Sequence, residues 1–323
     1  MSHPNDERSY EHHGCIDVTV RITNSWNFLA RTDPPRSGIG TGFSLLPVPV
    51  GVQIVGYDAG TWGGPGTDGS AGDERREPAL LVADDDGDGP GGGRVAREML
   101  TPGRDLRFAL GERRCAGTLD AEFGHRACDR RRAPYCERHE STWVCARCTG
   151  TCLKDEMDCN EDHAVYLAAF APGTFKVGVT RLWRLKTRLR EQGADRGAHL
   201  RTVENGRRAR EIETGIAETV GDSVAVSTKV AGLGRPVDDT AWRDLLSSFD
   251  PIDTRAIDYG LDLSHPPVPE TLASGTIRGV KGRVLVLDAA DTTYAVDMRD
   301  LVGYVVREGD RTRDLQSSLG AFG

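Results

Sequence analysis

The residues best suited to chemistry are cysteines and histidines: six of the eight cysteines fall between residues 125 and 163. His125-x-x-Cys128 is followed by Cys136-x-x-His139, two pairs mirrored across a loop of Arg130, Arg131 and Arg132. Together they offer two imidazoles and two thiolates to one tetrahedral ion. Directly afterwards, Cys145-x-x-Cys148, Cys152 and Cys159 offer four thiolates to a second. Zinc suits both sets, because ligands two to four residues apart close around the ion, and the metal supplies folding energy that a core-poor segment lacks. Neither set shows an open coordination position, so two structural zinc ions are expected. An iron–sulfur cluster is the rival at the four-thiolate set. Disulfides are disfavoured, since the N-terminal residues show no basic-then-apolar secretion leader and a cytoplasmic location is expected. Cys15 and Cys115 are left over, read as an arm thiol and a buried strand thiol.

A second kind of chemistry is written in the charges. The chain of 323 residues carries 41 basic and 49 acidic side chains, a net charge of −8. The basic ones are 36 Arg and only 5 Lys, and the acidic ones are 31 Asp and 18 Glu. Such an Asp-rich, Lys-poor, halophilic composition keeps a protein soluble in a salt-rich cytoplasm, so the acidic total does not exclude a nucleic-acid partner. The positive charge is clustered: Arg181, Arg184, Lys186, Arg188 and Arg190 lie within ten residues, and Arg201, Arg207, Arg208 and Arg210 follow. A polyanion is the ligand that pattern fits. High salt weakens purely ionic contacts, so stacking on Trp183 or recognition of shape must add to them. A membrane is excluded as partner: the most apolar stretch, residues 42–57, is shorter than the roughly 20 residues of a span and contains Pro47 and Pro49.

These groups need elements to hold them. Residues 1–51 show no sustained period and include Pro34, Pro35, Pro47 and Pro49, which predicts an N-terminal arm with one strand at 16–22. Residues 52–121 read as a β-rich segment, with short apolar runs at 53–57, 78–83 and 107–119 separated by Gly/Asp-rich loops. Residues 122–163 form the zinc-binding module. From 164 to 262 a strand–turn–strand unit, VYLAAF and TFKVGVT around Pro172–Gly173, leads into three helices. Leu182, Leu185 and Leu189 share a face of the first helix, Ala209, Ile212, Ile216 and Val220 a face of the second, and Leu245, Leu246 and Phe249 anchor the third. Residues 263–323 return to strands, a meander with a turn at Ala290–Asp291.

VYLAAFAPGTFKVGVTR (165–181), then RLREQGA (188–194) and AREIE (209–213), resembles the GIY-YIG nuclease superfamily. More broadly, the chain from Gln53 onward is similar to an uncharacterised prokaryotic family known only as a domain of unknown function. The first resemblance implies a small antiparallel sheet of three strands with helices, and a set of roles. Tyr166 stands where the first motif keeps the tyrosine that orients or deprotonates the attacking water. Lys176 replaces the tyrosine of the second motif, and Gly178 is its glycine. Arg188, with Arg184 one turn earlier as the alternative, matches the arginine that stabilises the transition state. Gln192 occupies a position where many members have His, and Glu213 matches the carboxylate for a catalytic magnesium or manganese ion.

The expected architecture is α+β: a GIY-YIG-like small sheet with helices, preceded by the zinc module and flanked by β-rich segments. The expected function is binding of DNA or structured RNA through Arg181, Trp183, Lys186, Arg190, Arg207 and Arg208, with metal-dependent endonucleolytic hydrolysis. The alternatives are an inactive module binding RNA or the ribosome, and a zinc-scaffolded adaptor for a protein partner.

Overall fold

The computed structural model describes residues 51–60, 76–84, 93–120, 124–140 and 161–309. The expected arm strand, Cys15 and the whole four-thiolate set, Cys145, Cys148, Cys152 and Cys159, lie outside the described residues. The first strands are β1 (Val52–Asp58), β2 (Ala79–Asp84), β3 (Val95–Met99), β4 (Asp105–Arg113), β5 (Thr118–Asp120) and β6 (Gly124–Arg126). A middle unit follows: β7 (His163–Phe170), β8 (Thr174–Arg181), a 3-10 turn (Leu182–Arg184), α1 (Leu185–Glu191), β9 (Arg196–Val203), α2 (Gly206–Val220), α3 (Val226–Ala231), α4 (Asp239–Leu246) and β10 (Asp253–Ala256). The chain ends in β11 (Val268–Pro269), β12 (Ala273–Lys281), β13 (Val284–Ala289), β14 (Thr292–Asp297), α5 (Met298–Leu301) and β15 (Tyr304–Glu308).

The β-rich segments before and after the middle unit form one nine-stranded sheet, ordered β11-β14-β13-β12-β4-β15-β1-β2-β3. Strand β4 lies between β12 and β15, and β1 closes on β15 in the register Val52↔Val306. Laid flat, nine strands would span about 38 Å at ~4.8 Å spacing. Instead Leu80 and Val82 of β2 share one core with Leu285, Leu287, Tyr294 and Val296 of β13 and β14, so the sheet curls. Register shifts at Ile54/Gly56, Ile277/Gly279 and Tyr304/Val306 supply the local bends.

The run Val284-Leu285-Val286-Leu287 is apolar on both sides for a reason. Leu285 and Leu287 face the curl, whereas Val284 and Val286, with Ala295, pack on Val230 and Leu233 of the middle unit. The two units are therefore in direct contact.

Within the middle unit the sheet has four strands, β10-β9-β7-β8, all antiparallel. The central strand β7 is covered on both faces. Val165, Leu167 and Ala169 pack under α2 and α4 through Ala209 and Trp242. Tyr166, Ala168 and Phe170 pack under α1 through Leu185 and Leu189. Asn205 caps α2 by accepting from Arg208 N at 2.8 Å, and Asp238 caps α4 through the amides of Thr240 and Ala241. Among the described residues no helix is long and apolar enough to cross a membrane.

Candidate functional site

The first candidate is a cluster of Cys115, Cys128, Cys136 and His139, whose ligand atoms all lie within 4.8 Å of one another. Three of the four expected ligands meet there, but the fourth is Cys115 and not His125. His125 is buried in β6 and its Nε2 lies 2.8 Å from the Ala116 carbonyl oxygen, so it supports the backbone beside Cys115. Cys115 follows β4, and the turn Ala116–Gly117 (Gly117 φ 69°) swings its thiol round to the knuckle. The knuckle itself is one helical turn, in which the amides of His139 and Glu140 both donate to the Cys136 carbonyl.

The donor set fits zinc on its geometry. With Zn–S of about 2.3 Å and Zn–N of about 2.0–2.1 Å, a tetrahedral ion holds S and N about 3.5 Å apart and two sulfurs about 3.8 Å apart. Nδ1 of His139 is 3.3 Å from Cys115 Sγ and 3.4 Å from Cys136 Sγ, and the sulfurs of Cys128 and Cys136 are 4.0 Å apart. The Cys136 amide donates to Cys115 Sγ at 3.2 Å and the Gly117 amide at 3.5 Å, bonds that favour a thiolate. Burial nonetheless pushes the Cys115 thiol up, whereas at Cys136 burial is outweighed by the amide of Arg138 and the neighbouring thiols, which hold it down. The site can hold a metal ion such as zinc; no open coordination position is left for catalysis.

Gln53 fastens this site to the large sheet. Buried in β1, its Nε2 lies 3.0 Å from Gly303 O, 3.2 Å from Cys115 O and 3.4 Å from Arg114 O. On the same outer face, Val55, Ala83, Ala116 and Val302 form a small core with Tyr135 at its edge. In the knuckle loop, Arg130 and Arg132 pair with Glu137, and Arg132 also with Glu140.

The second candidate lies on the α1 face of β7. Tyr166 stands opposite Gly178 across the hairpin, and Lys176 stands opposite Ala168, so all four share one face. Gly178 is required here by space: a Cβ at that position would sit 2.5 Å from the Tyr166 hydroxyl. Gln192, at the C-terminal end of α1, donates from Nε2 to the phenol oxygen at 2.6 Å. Burial raises the phenol above its ordinary value, against Arg188 and the Gln192 bond, which favour the anion, while Glu213 adds to the rise. Lys176 is lowered by burial and then by Arg188, with Glu213 opposing. Tyr166, Lys176, Arg188 and Glu213, from β7, β8, α1 and α2, thus share one electrostatic neighbourhood. Glu213 is largely buried and bonded to Arg210 at 2.5 Å.

The remaining basic residues divide. Lys186 and Arg188 are exposed on α1, and Trp183 beside them is 66% exposed. Arg184 and Arg188 both reach Glu191, at 2.9 and 3.3 Å. Arg181 pairs with Glu161, and Arg207 and Arg208 pair with Glu211. Arg190 turns inward: its guanidinium lies over the Tyr259 ring and donates to the Asp258 carbonyl.

The family described as "Protein of unknown function (DUF2797)" matches residues 103–306. The chain belongs to the DUF2797 family. No curated protein and no solved structure matches it. The DUF2797 match runs from just before β4 to Val306 in β15, so it takes in the Cys115 cluster, the middle unit and six adjacent strands of the large sheet. Strands β1, β2 and β3 lie outside the DUF2797 match and extend the sheet from β15.

Proposed function

We propose that the protein binds nucleic acid and hydrolyses its phosphodiester bonds in the manner of the GIY-YIG nucleases, with the Cys115 cluster as a structural zinc site. The reading is carried by a phenol, an ammonium, a guanidinium and a carboxylate from four elements, Tyr166, Lys176, Arg188 and Glu213, that lie within electrostatic reach of one another. Phosphodiester hydrolysis needs cations for the charge developing on phosphorus oxygens and a group that orients water, and this set supplies both. A phenol held protonated by burial is suited to orienting water: its oxygen accepts from Gln192 and its proton is free to donate to a second oxygen. Arg188 is exposed, as are Lys186 and Trp183 on the same helical stretch, and together they would meet the strand. Glu213 supplies the one carboxylate that a magnesium or manganese ion commonly takes from protein, and Arg210 would have to release it. Such an ion would polarise the phosphate.

The Arg210–Glu213 pair also favours a second reading, binding without hydrolysis, because it occupies the carboxylate that would hold the ion. Incubation with branched DNA, duplex DNA, single strands and structured RNA, in high potassium with magnesium or manganese, separates the two. Cleavage by the wild type and not by Glu213→Gln is the expected result. Binding that survives in both proteins with no cleavage in either would leave the second reading standing and remove the first.

A further inference from the structure

Lysine is rare in this chain, 5 residues against 36 arginines, yet two lysines meet beside Tyr166. Lys176 of β8 lies on the face shared by Tyr166, Ala168 and Phe170. Lys229 of α3 reaches the same place from the other side: its ammonium lies 4.8 Å from the Phe170 ring centroid and donates to the Gln192 carbonyl at 2.8 Å. Gln192 therefore holds Lys229 by its backbone and Tyr166 by its side chain. Neither ammonium has a carboxylate within 4.0 Å among the described residues, although the arginines around them do: Arg188 pairs with Glu191, Arg210 with Glu213, and Arg283 with Asp297.

We infer that Lys176 and Lys229 form an oxyanion subsite for a phosphate group of the ligand, next to the Tyr166 phenol. Two part-buried ammonium groups near Arg188 and Arg283 repel one another and lose hydration, a cost that a bound anion offsets. The mutual influence of the two is visible in Lys229, lowered to about 8 by burial first and then by Lys176, Arg283 and Arg188. A lysine is the compact point charge suited to a phosphate oxygen, where an arginine would reach for a planar carboxylate. Lys229 uses one of its three donors on Gln192, which leaves two for the ligand.

The inference rests on the nucleic-acid reading for its ligand but not on hydrolysis. Two assays test it. Thermal stability is followed in inorganic phosphate against chloride of equal ionic strength, and labelled single-stranded and duplex oligonucleotides are titrated across a salt series. Phosphate should stabilise the wild type, and Lys229→Met and Lys176→Gln should each remove most of that gain. Each variant should also flatten the dependence of log K on log salt, and the two together by about 0.7 for single strands and about 0.9 for duplexes, the one phosphate that both lysines hold. Phosphate stabilisation without oligonucleotide binding supports the subsite and assigns it to a small phosphorylated ligand. Wild-type salt slopes and wild-type phosphate response in both variants would overturn it, and either variant suffices should the other fail to fold. A wild type that binds through the lysines and never cleaves refutes hydrolysis alone; one that cleaves with Lys229→Met unchanged in KM, salt slope and phosphate response refutes the subsite alone.

Discussion

Replacing Cys115 by Ser tests whether the metal centre is built by three thiolates and His139. The four ligand atoms lie within 4.8 Å of one another, and their separations are close to those of a zinc tetrahedron. If a structural zinc site contributes roughly 10–16 kcal/mol and four ligands share it evenly, one thiolate accounts for about 2.5–4 kcal/mol, or roughly 10²–10³-fold in affinity. His125→Gln should cost much less, about tenfold, because its ring lies outside the ligand cluster and its Nε2 sits against the Ala116 carbonyl. Competition with a chromophoric chelator measures the zinc affinity of each variant. Cobalt substitution counts the thiolates: the difference spectrum between wild type and Cys115→Ser should show loss of sulfur-to-cobalt charge transfer, and that of His125→Gln should not. The reasoning fails if His125→Gln releases the metal while Cys115→Ser retains it.

Three further outcomes follow from the packing and charges. Gly178→Ala places a methyl 2.5 Å from the Tyr166 hydroxyl and should cost about 1–3 kcal/mol in denaturant unfolding, with Tyr166 fluorescence or chemical shifts displaced; an unchanged midpoint would contradict the close contact. Gln53→Leu strips a donor from the carbonyls of Arg114, Cys115 and Gly303, so stability should fall by about 1–3 kcal/mol and zinc should leave more readily on chelation. Lys229, at about 8 in the folded chain against 10.5 ordinarily, binds a proton more weakly folded than unfolded, so the stability of the wild type should rise with pH between about 8 and 10.5. The groups facing it are Lys176, Arg188, Arg283 and Asp297, and the rise should be absent in Lys229→Met.

Local patterning revealed the hairpin of β7 and β8, because the apolar run of β7, the alternation of β8 and the Pro-Gly turn between them are all contained within 19 residues. The same holds for the faces of α1, α2 and α4. Strand β9 escaped notice since its buried positions are Gly197, Ala198 and Leu200, small side chains that give little apolar signal between Arg196, Arg201 and Thr202. β10 has almost none. Three members of the Cys/His cluster were legible from pair spacing, but Cys115 lies 13 residues before Cys128 just past the end of a strand, and only the folded turn through Gly117 brings it in. Its one sequence clue is the Cys-Ala-Gly step that ends an apolar run. The convergence of Lys229 with Lys176 was hidden for a related reason, since 53 residues and three elements separate them.

The interleaved sheet also sets an order of events in time. Phe108 of β4 pairs with Ala273 of β12, and Gln53 bonds to Gly303, 250 residues away in sequence. At about 5–20 residues per second, synthesis needs roughly 8–33 s to deliver β12 after β4 has appeared. During that interval β4 lacks both of the neighbours it will have. The loop from Cys115 to His139 spans only 24 positions and can close on a zinc ion as soon as it emerges. Metal capture would then shorten the exposed ribbon and hold the end of β4 beside β1 through Gln53, so zinc starvation during growth should appear first as aggregation of newly made chains, before any loss from protein already folded.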